Sequence, residues 1–592
     1  MRFRPSDLGG RRRAVWRCAL LAAAVMASPA AAVSQRPSVK PARPPAAEQA
    51  RDTAPPSPDL LLGRAFALED AGRPDSAAVW YARLLRTPER MQGLLGLERA
   101  LAMQGRRRDV VAFADTVLAQ VPADRTAHGV KLRALTARDD RAAFRAALAA
   151  WAQASPRESE PWREGARALL DAGQPVAADS VAEDGVLALG ATRAMSAELG
   201  QIRARLGRWE SAAQAFREAL RDQDWLLEST VYALRSAPAD RRATLVGALL
   251  APPVAVSARR AAAALRMGWG DAAGAWEALK PLPRTDSSAA LWRALGEQAR
   301  RAGAPKIAAE AWVSALEIRP SAEVALDAAE AALEARDPVL ALDLAELAAR
   351  GPDTAGTGVR RAVVRTRGLA ATGRLADAAR IVASLDDRLA RRRAAAALAE
   401  GQALAGDVTA AARTADTEGL EVEDDAAAAW VAFWRGDLDA ARRGMSALAG
   451  GVRPAARAMA LLARTRVARA PEVGQAFLAL ARGDSVAALA GFQRAAREVP
   501  DAAAVLQLEA ARVADARRDA STATALWATI IAADATSPEA AESRLARARA
   551  AIRRGELSSA RTDLEALLID QPQSALVPQA RRELERLAGR TP

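Results

Sequence analysis

The sequence predicts an all-α solenoid built from one repeated helix pair, and three observations carry that prediction. Pro88, Pro122 and Pro156 stand 34 residues apart, and Asp139, Gly173 and Gly207 keep the same step at a second phase. Alanine, leucine, arginine and glutamate, all strong helix formers, dominate from residue 59 to residue 588. Apolar residues recur there at helical spacing, and glycine-containing breaks fall roughly every 34 residues. A fixed period of this length marks one supersecondary unit copied and stacked, because a lone pair leaves an apolar face that only its neighbour covers.

Taken in chain order, residues 1–32 read as a secretory signal. Arg2, Arg4, Arg11, Arg12, Arg13 and Arg17 form a basic beginning, residues 18–27 a short apolar stretch, and Ala30, Ala31 and Ala32 offer small side chains for cleavage. Arg11, Arg12 and Arg13 leave twin-arginine and ordinary export both open. The apolar run is short for a bilayer span. The expectation is therefore an exported chain that is periplasmic or envelope-associated. Cleavage would remove six arginines and one aspartate and lower the net charge from +13 to about +8. Cys18 is the single cysteine and falls inside this signal, so the mature chain is expected to carry no thiol or disulfide chemistry. Residues 33–58, through Pro37, Pro41, Pro44, Pro45, Pro55, Pro56 and Pro58, read as an extended, disordered linker.

The repeat unit is clearest in residues 291–320, LWRALGEQARRAGAPKIAAEAWVSALEIRP. Trp292, Leu295 and Gly296 lie on a first helix that stops at Gly303, which suits the left-handed conformation of a helix end. Ala308, Trp312 and Ala315 stripe a second helix, and Pro320 ends it because proline cannot donate the backbone bond a helix interior needs. The same grammar returns in residues 61–88 (Gly72, Ala77, Tyr81, Pro88) and 198–220 (Gly207, Trp209, Ala212, Phe216, Ala219). Further copies are residues 477–500 (Gly483, Ala488, Phe492, Ala495, Pro500) and 544–572 (Gly555, Leu557, Ala560, Leu564, Pro572). Other turns are expected at Gly105, Gly373, Gly406 and Gly436.

This pattern resembles the tetratricopeptide repeat: Trp-x-x-Leu-Gly in the first helix, small residues where the helices cross, a late aromatic in the second, and a terminal proline. The resemblance implies a right-handed superhelix of about 14–15 antiparallel pairs. It divides into an N-terminal array over 59–224, an irregular helical segment over 225–255, a central array over 256–500, and C-terminal units with a closing helix over 501–592. Residues 281–288 and 351–358 read as loops, and 450–454 as a loop before an extra helix around 455–469. The last units, with Gln571, Pro572, Gln573 and Ser574, are similar to terminal repeats of envelope proteins of barrel assembly and the Tol–Pal system.

Catalytic machinery is hard to write into this chain. His128 is the only histidine, expected partly exposed and early in a first helix. One histidine and no mature cysteine exclude the usual zinc sites and His-dependent nucleophiles. No lysine follows a glycine, so no phosphate-binding loop of the Walker type exists. Gly268, Gly270 and Gly274 have dinucleotide-loop spacing, and Gly483-Asp484-Ser485 resembles a hydrolase motif, yet both fall at expected repeat turns. Trp80, Trp151, Trp292 and Trp312 occupy packing positions, not a ligand cage. The expectation is a non-enzyme with no cofactor and no metal.

Function then rests on surface. The 34-residue step places Arg99, Arg133 and Arg167 at one equivalent position, which in the family points into the concave groove. Stacked guanidinium forks there would suit a protein or peptide partner of acidic character. The chain holds eighty arginines against four lysines (Lys40, Lys131, Lys280, Lys306) and no asparagine, so arginine also decorates ordinary helix faces. The family's carboxylate clamp, which uses lysine and asparagine, has no counterpart here. The expected role is a protein-interaction scaffold, with an accessory subunit of an envelope enzyme or assembly complex as the alternative and no nucleic acid as partner.

Overall fold

The structure is a computed structural model that describes residues 56–588 apart from 138, 352–354, 424 and 448–452. The expected signal and nearly all of the expected linker lie outside the described residues, as does most of the expected loop at 450–454. Among the described residues there are thirty-two α-helices and no strand, with one isolated antiparallel bridge between Asp437 and Arg469. In chain order the helices make fifteen pairs, plus an extra helix at Arg453–Arg464 and a closing one at Val577–Ala588. The fold is the all-α, tetratricopeptide-like helical repeat that the 34-residue step predicts. The chain divides into two compact units, one ending at Gln104 and the other beginning at Gly105.

The turn inside each pair has one recurring mechanism. At Gly303 (φ 75°) the chain enters the left-handed region, and the Gly303 N–H donates to the Arg300 carbonyl at 3.0 Å. The Ala304 N–H then reaches back to the Ala299 carbonyl at 2.9 Å, satisfying an otherwise orphaned helix-end acceptor. Pro305 opens the next helix, where its missing N–H costs nothing. At seven other turns an aspartate follows and caps the second helix through its carboxylate: Asp140, Asp271, Asp337, Asp407, Asp437, Asp484 and Asp519. Each such cap contributes about 1 kcal/mol. Two turns use arginine instead of glycine, Arg336 (φ 63°) and Arg518 (φ 61°), with the same 6→1 bond from Asp337 to Ala332 and from Asp519 to Ala514.

Packing within a pair follows from side-chain size. Ala212, Ala308, Ala488 and Ala560 are wholly buried where the paired helices cross. The late aromatics Tyr81, Phe216, Trp312 and Phe492 are buried as well. Trp151, Trp292 and Trp312 sit in the core, but Trp80 is only half-buried, with Arg64 and Arg83 lying 5.0 and 4.5 Å from its ring centre. On its helix, Pro74–Leu84, that residue stands at the edge of the face carrying Ala77, Tyr81 and Leu84.

Neighbouring units are stitched by arginine–carboxylate pairs about one repeat apart in sequence. Arg300 bonds Glu330 at 3.1 Å and Glu334 at 2.8 Å, and Arg360 returns to Glu330 at 2.9 Å and Asp327 at 2.7 Å. Single exposed pairs of this kind are worth about 0–1 kcal/mol, so their main effect is on register.

Two places depart from the period. Around residues 225–255 the helices shrink to eight residues each, Leu227–Leu234 and Arg242–Leu249, behind a 3-10 turn at Asp224–Leu226. Farther on, the extra helix Arg453–Arg464 interrupts the pairing while burying Ala458, Leu461 and Leu462 in the adjoining core, and the pairing resumes where the Ala470 N–H donates to the Gly436 carbonyl at 2.9 Å. The expected loop at 351–358 is shorter than the sequence suggests, because a helix already begins at Ala355.

Candidate binding groove

The three arginines singled out by the repeat step have different surroundings. In the first unit, the Arg99 guanidinium forms a fork on Glu69, Nε to Oε1 and Nη2 to Oε2, both 2.8 Å. The Tyr81 hydroxyl donates to the same carboxylate at 2.5 Å and accepts from Arg99 at 3.2 Å. Arg99 therefore belongs to a half-exposed polar cluster within this unit. Its hydrogen bonds hold the Glu69 carboxyl below the ordinary value, while burial, and then Glu69, push the Tyr81 hydroxyl far up.

Arg133, on helix Arg125–Ala137 of the second unit, lies 4.0 Å from Glu164. Arg167, on helix Glu160–Asp171, is mostly exposed and stands 4.0 Å from Asp171 one turn on.

Arg167 alone of the three lines the groove of about 980 Å³ that runs across helices Glu160–Asp171 and Ser196–Arg205 to Trp225. The groove's carboxylates are already matched. Arg125 holds Glu158 at 2.9 Å and Glu160 at 2.8 Å, Arg163 holds Glu198 at 2.6 Å, and Glu164 and Asp171 face Arg133 and Arg167. Arg157 and Arg205 also line it, are exposed, and have no carboxylate in ion-pair reach among the described residues. Counted whole, the lining is neutral, five arginines against five carboxylates, with Arg157 and Arg205 the two that no carboxylate holds.

It also carries aromatic surface. Trp225 is 73% exposed, because the 3-10 turn that bears it directs the neighbouring Leu226 inward. The groove continues past Leu170, Gln201 and Arg205 into a second hollow of about 890 Å³, where Tyr232 is 68% exposed and the Arg235 guanidinium sits 4.3 Å from its ring centre. Exposed tryptophan, tyrosine and arginine around one concavity are the side chains that carry binding energy in protein interfaces. Arg157, Arg205, Trp225 and Tyr232 lie off the 34-residue phase, at a turn, a helix end and the irregular segment. The one sequence signal for Trp225 is a large aromatic beside the motif's disappearance.

A third hollow, about 820 Å³, is lined by Trp430, Phe477 and Leu480 and by Arg457 of the extra helix. Of its three arginines, Arg367 and Arg457 are held by Glu400 and Glu509, at 3.6 and 3.4 Å, and Arg336 is exposed with no carboxylate in ion-pair reach among the described residues.

The residues weighed for chemistry occupy structural positions. His128 is buried, contrary to the exposed placement its sequence context suggests, since its ring stacks on Trp151 at 5.0 Å and 5°. Its Nε2–H donates to the Pro122 carbonyl at 2.8 Å. Gly268–Gly274 spans a helix end and the Asp271-capped start of the next, and Asp484 caps its own helix by accepting from Ala487. Among the described residues no three His, Cys, Asp or Glu side chains gather as a metal would require, and no helix is long and apolar enough to cross a membrane.

These helix pairs define a tetratricopeptide-like helical-repeat protein. No protein-family model matches the chain, and no curated protein matches it. Among solved structures it is similar to the crystal structure of the APC/C hetero-tetramer Cut9-Hcn1, at 16% identity over 84% of this chain and 96% of that one. The TM-score of 0.23 is too low for any argument about function.

Proposed function

We propose that the protein is a non-enzymatic scaffold that binds other proteins through its repeat surface, acting after export in the periplasm or cell envelope. The observation that carries the binding role is the groove between helices Glu160–Asp171 and Ser196–Arg205, with its exposed Arg157, Arg205 and Trp225. A long stack of pairs offers a partner many modest contacts and a few strong ones. The export reading is supported by the basic and apolar segments of residues 1–32.

The test is crosslinking and co-purification of the full chain from fractionated cells. Recovery of a defined protein partner from the envelope fraction is expected. Recovery of none, or location of the chain in the cytoplasm, overturns the corresponding half of the proposal.

A further inference from the structure

We propose that the hollow between Arg336 and Trp430 binds a long-chain fatty acid, its carboxylate on Arg336 and its hydrocarbon chain over Trp430, Phe477 and Leu480. The site is separate from the groove at Trp225 and stands or falls apart from the scaffold reading.

The volume of about 820 Å³ falls within the roughly 300–1,000 Å³ of small-molecule sites. Its apolar lining comes from the first helices of successive pairs: Leu404 on Arg388–Ala405, Trp430 on Ala426–Trp434, and Phe477 and Leu480 on Pro471–Ala481. Phe433 and Trp434 hold the Trp430 ring in place, their ring centres 5.7 and 5.6 Å from its own. Arg336 comes from the turn between helices Ala322–Glu334 and Pro338–Ala348, and its Nη1 stands 3.8 Å from where a Cβ on Gly483 would lie. The guanidinium thus reaches a turn several pairs further along the chain. Two observations single it out. It is exposed, with no carboxylate in ion-pair reach among the described residues. It also holds a left-handed backbone (φ 63°), where a side chain meets a steric cost that glycine escapes. Strain kept at a position whose charge nothing in the folded chain answers points to a use outside the chain.

The remaining charges of the lining are spent. Arg367 faces Glu400 at 3.6 Å, Arg457 faces Glu509 at 3.4 Å, and the Asp425 carboxylate accepts from the Ala427 N–H at 2.9 Å. Counted whole, the lining holds three arginines against two carboxylates, and its one net positive charge is unanswered at Arg336. Among the described residues it holds no serine, threonine, asparagine, glutamine or tyrosine. A peptide laid there would bring amide groups to a surface that offers them few partners, which costs affinity. A polyanion would find one free cation beside two carboxylates. A fatty acid brings one anionic head for Arg336 and a chain that asks for no hydrogen bond.

The experiment uses the full chain and a dansyl-labelled fatty acid, displaced by oleate or by the uncharged oleyl alcohol at submicellar concentration. Oleate should compete about tenfold better than the alcohol, because a charged hydrogen bond goes with the carboxylate. In Arg336→Gly protein that preference should vanish, while the melting temperature holds or rises as the strained turn is relieved. Arg518→Gly relieves the same kind of turn and should keep the preference. A brominated stearate quenches tryptophan on contact, and its quenching should be smaller in Trp430→Phe protein. No binding of the labelled acid, or equal competition by oleate and the alcohol, overturns the proposal. So does a preference retained in Arg336→Gly or lost in Arg518→Gly, and so does unchanged quenching in Trp430→Phe. Partner capture from the envelope fraction tests the scaffold reading alone, and neither result bears on the other.

Discussion

A Cβ built on Gly296 would stand 2.7 Å from the indole of Trp312, so the glycine of the first helix is the seat of the aromatic ring of the second. The relationship recurs between Gly200 and Phe216, at 2.8 Å. It gives the leucine-glycine pair of the motif a physical cause: closeness of two helices around a ring. Substituting Gly296 by alanine gains about 1 kcal/mol of helix propensity but forces overlap with the ring, and overpacking costs about 1–3 kcal/mol. Net destabilisation is therefore expected when Trp312 is present. In a Trp312→Leu background the overlap is relieved, and Gly296→Ala should become neutral or stabilising. Urea unfolding of the four proteins of this cycle measures the coupling, and purely additive effects would contradict the account.

Arg518 occupies a left-handed position that most of the other turns give to glycine. A side chain there costs about 1–2 kcal/mol, partly offset by the lower entropy of the unfolded chain. Arg518→Gly should therefore stabilise the protein by about 0.5–1 kcal/mol. The substitution removes no ion pair, since none involves Arg518 among the described residues. A lower denaturation midpoint in the variant would show that the arginine contributes something the turn geometry does not reveal.

What could be read in advance divides along physical lines. Turns, small crossing residues and buried aromatics were legible because each is a local demand repeated at fixed spacing, as at Gly303, Ala308 and Trp312. The turns at Arg336 and Arg518 were hidden because they break the residue preference while keeping the backbone geometry. Arginine roles were the least legible. Arg99, Arg133 and Arg167 share a sequence phase, yet what each touches depends on which carboxylates adjoining helices supply, as with Glu69 for Arg99 and Glu164 for Arg133. Trp225 escaped for the opposite reason, lying where the period fails and no ruler applies.

The Arg99–Glu69–Tyr81 cluster makes the first unit sensitive to acid. Arg99 holds the Glu69 carboxyl below its ordinary value of 4.5 against the opposing effect of burial. A carboxyl depressed in the folded state contributes stability that is complete above its ordinary value and is lost as pH falls through the folded value. Arg99→Ala should cost about 1–2 kcal/mol near neutrality, the lower part of the range for charged hydrogen bonds because the guanidinium is half exposed. The difference from wild type should shrink at acid pH, where Glu69 takes up a proton in both proteins. Thermal melts at pH 7 and pH 3 measure it, and a difference that stays constant or grows toward acid would assign the loss to packing of the arginine stem.

His128 gives the opposite ionisation a single, clean reporter, because the chain has no other histidine. Burial against Trp151 disfavours the charged ring first of all, and the nearby Lys131 adds to this. The hydrogen bond to the Pro122 carbonyl and the charge of Asp124 act the other way, and the balance leaves the imidazole below its ordinary value of 6.5. The sign for stability follows. As pH falls through 6.5 the unfolded chain binds a proton that the folded chain resists, so stability is complete above that value and declines below it until the folded value is reached. With histidine labelled at Cε1, one resonance should titrate with a midpoint under 6.5. A His128→Gln chain, which keeps a donor for the Pro122 carbonyl, should lose the decline in melting temperature between pH 7 and pH 5.5 that this group causes. A midpoint at or above 6.5 would mean that the Trp151 stack favours the charged ring more strongly than burial opposes it.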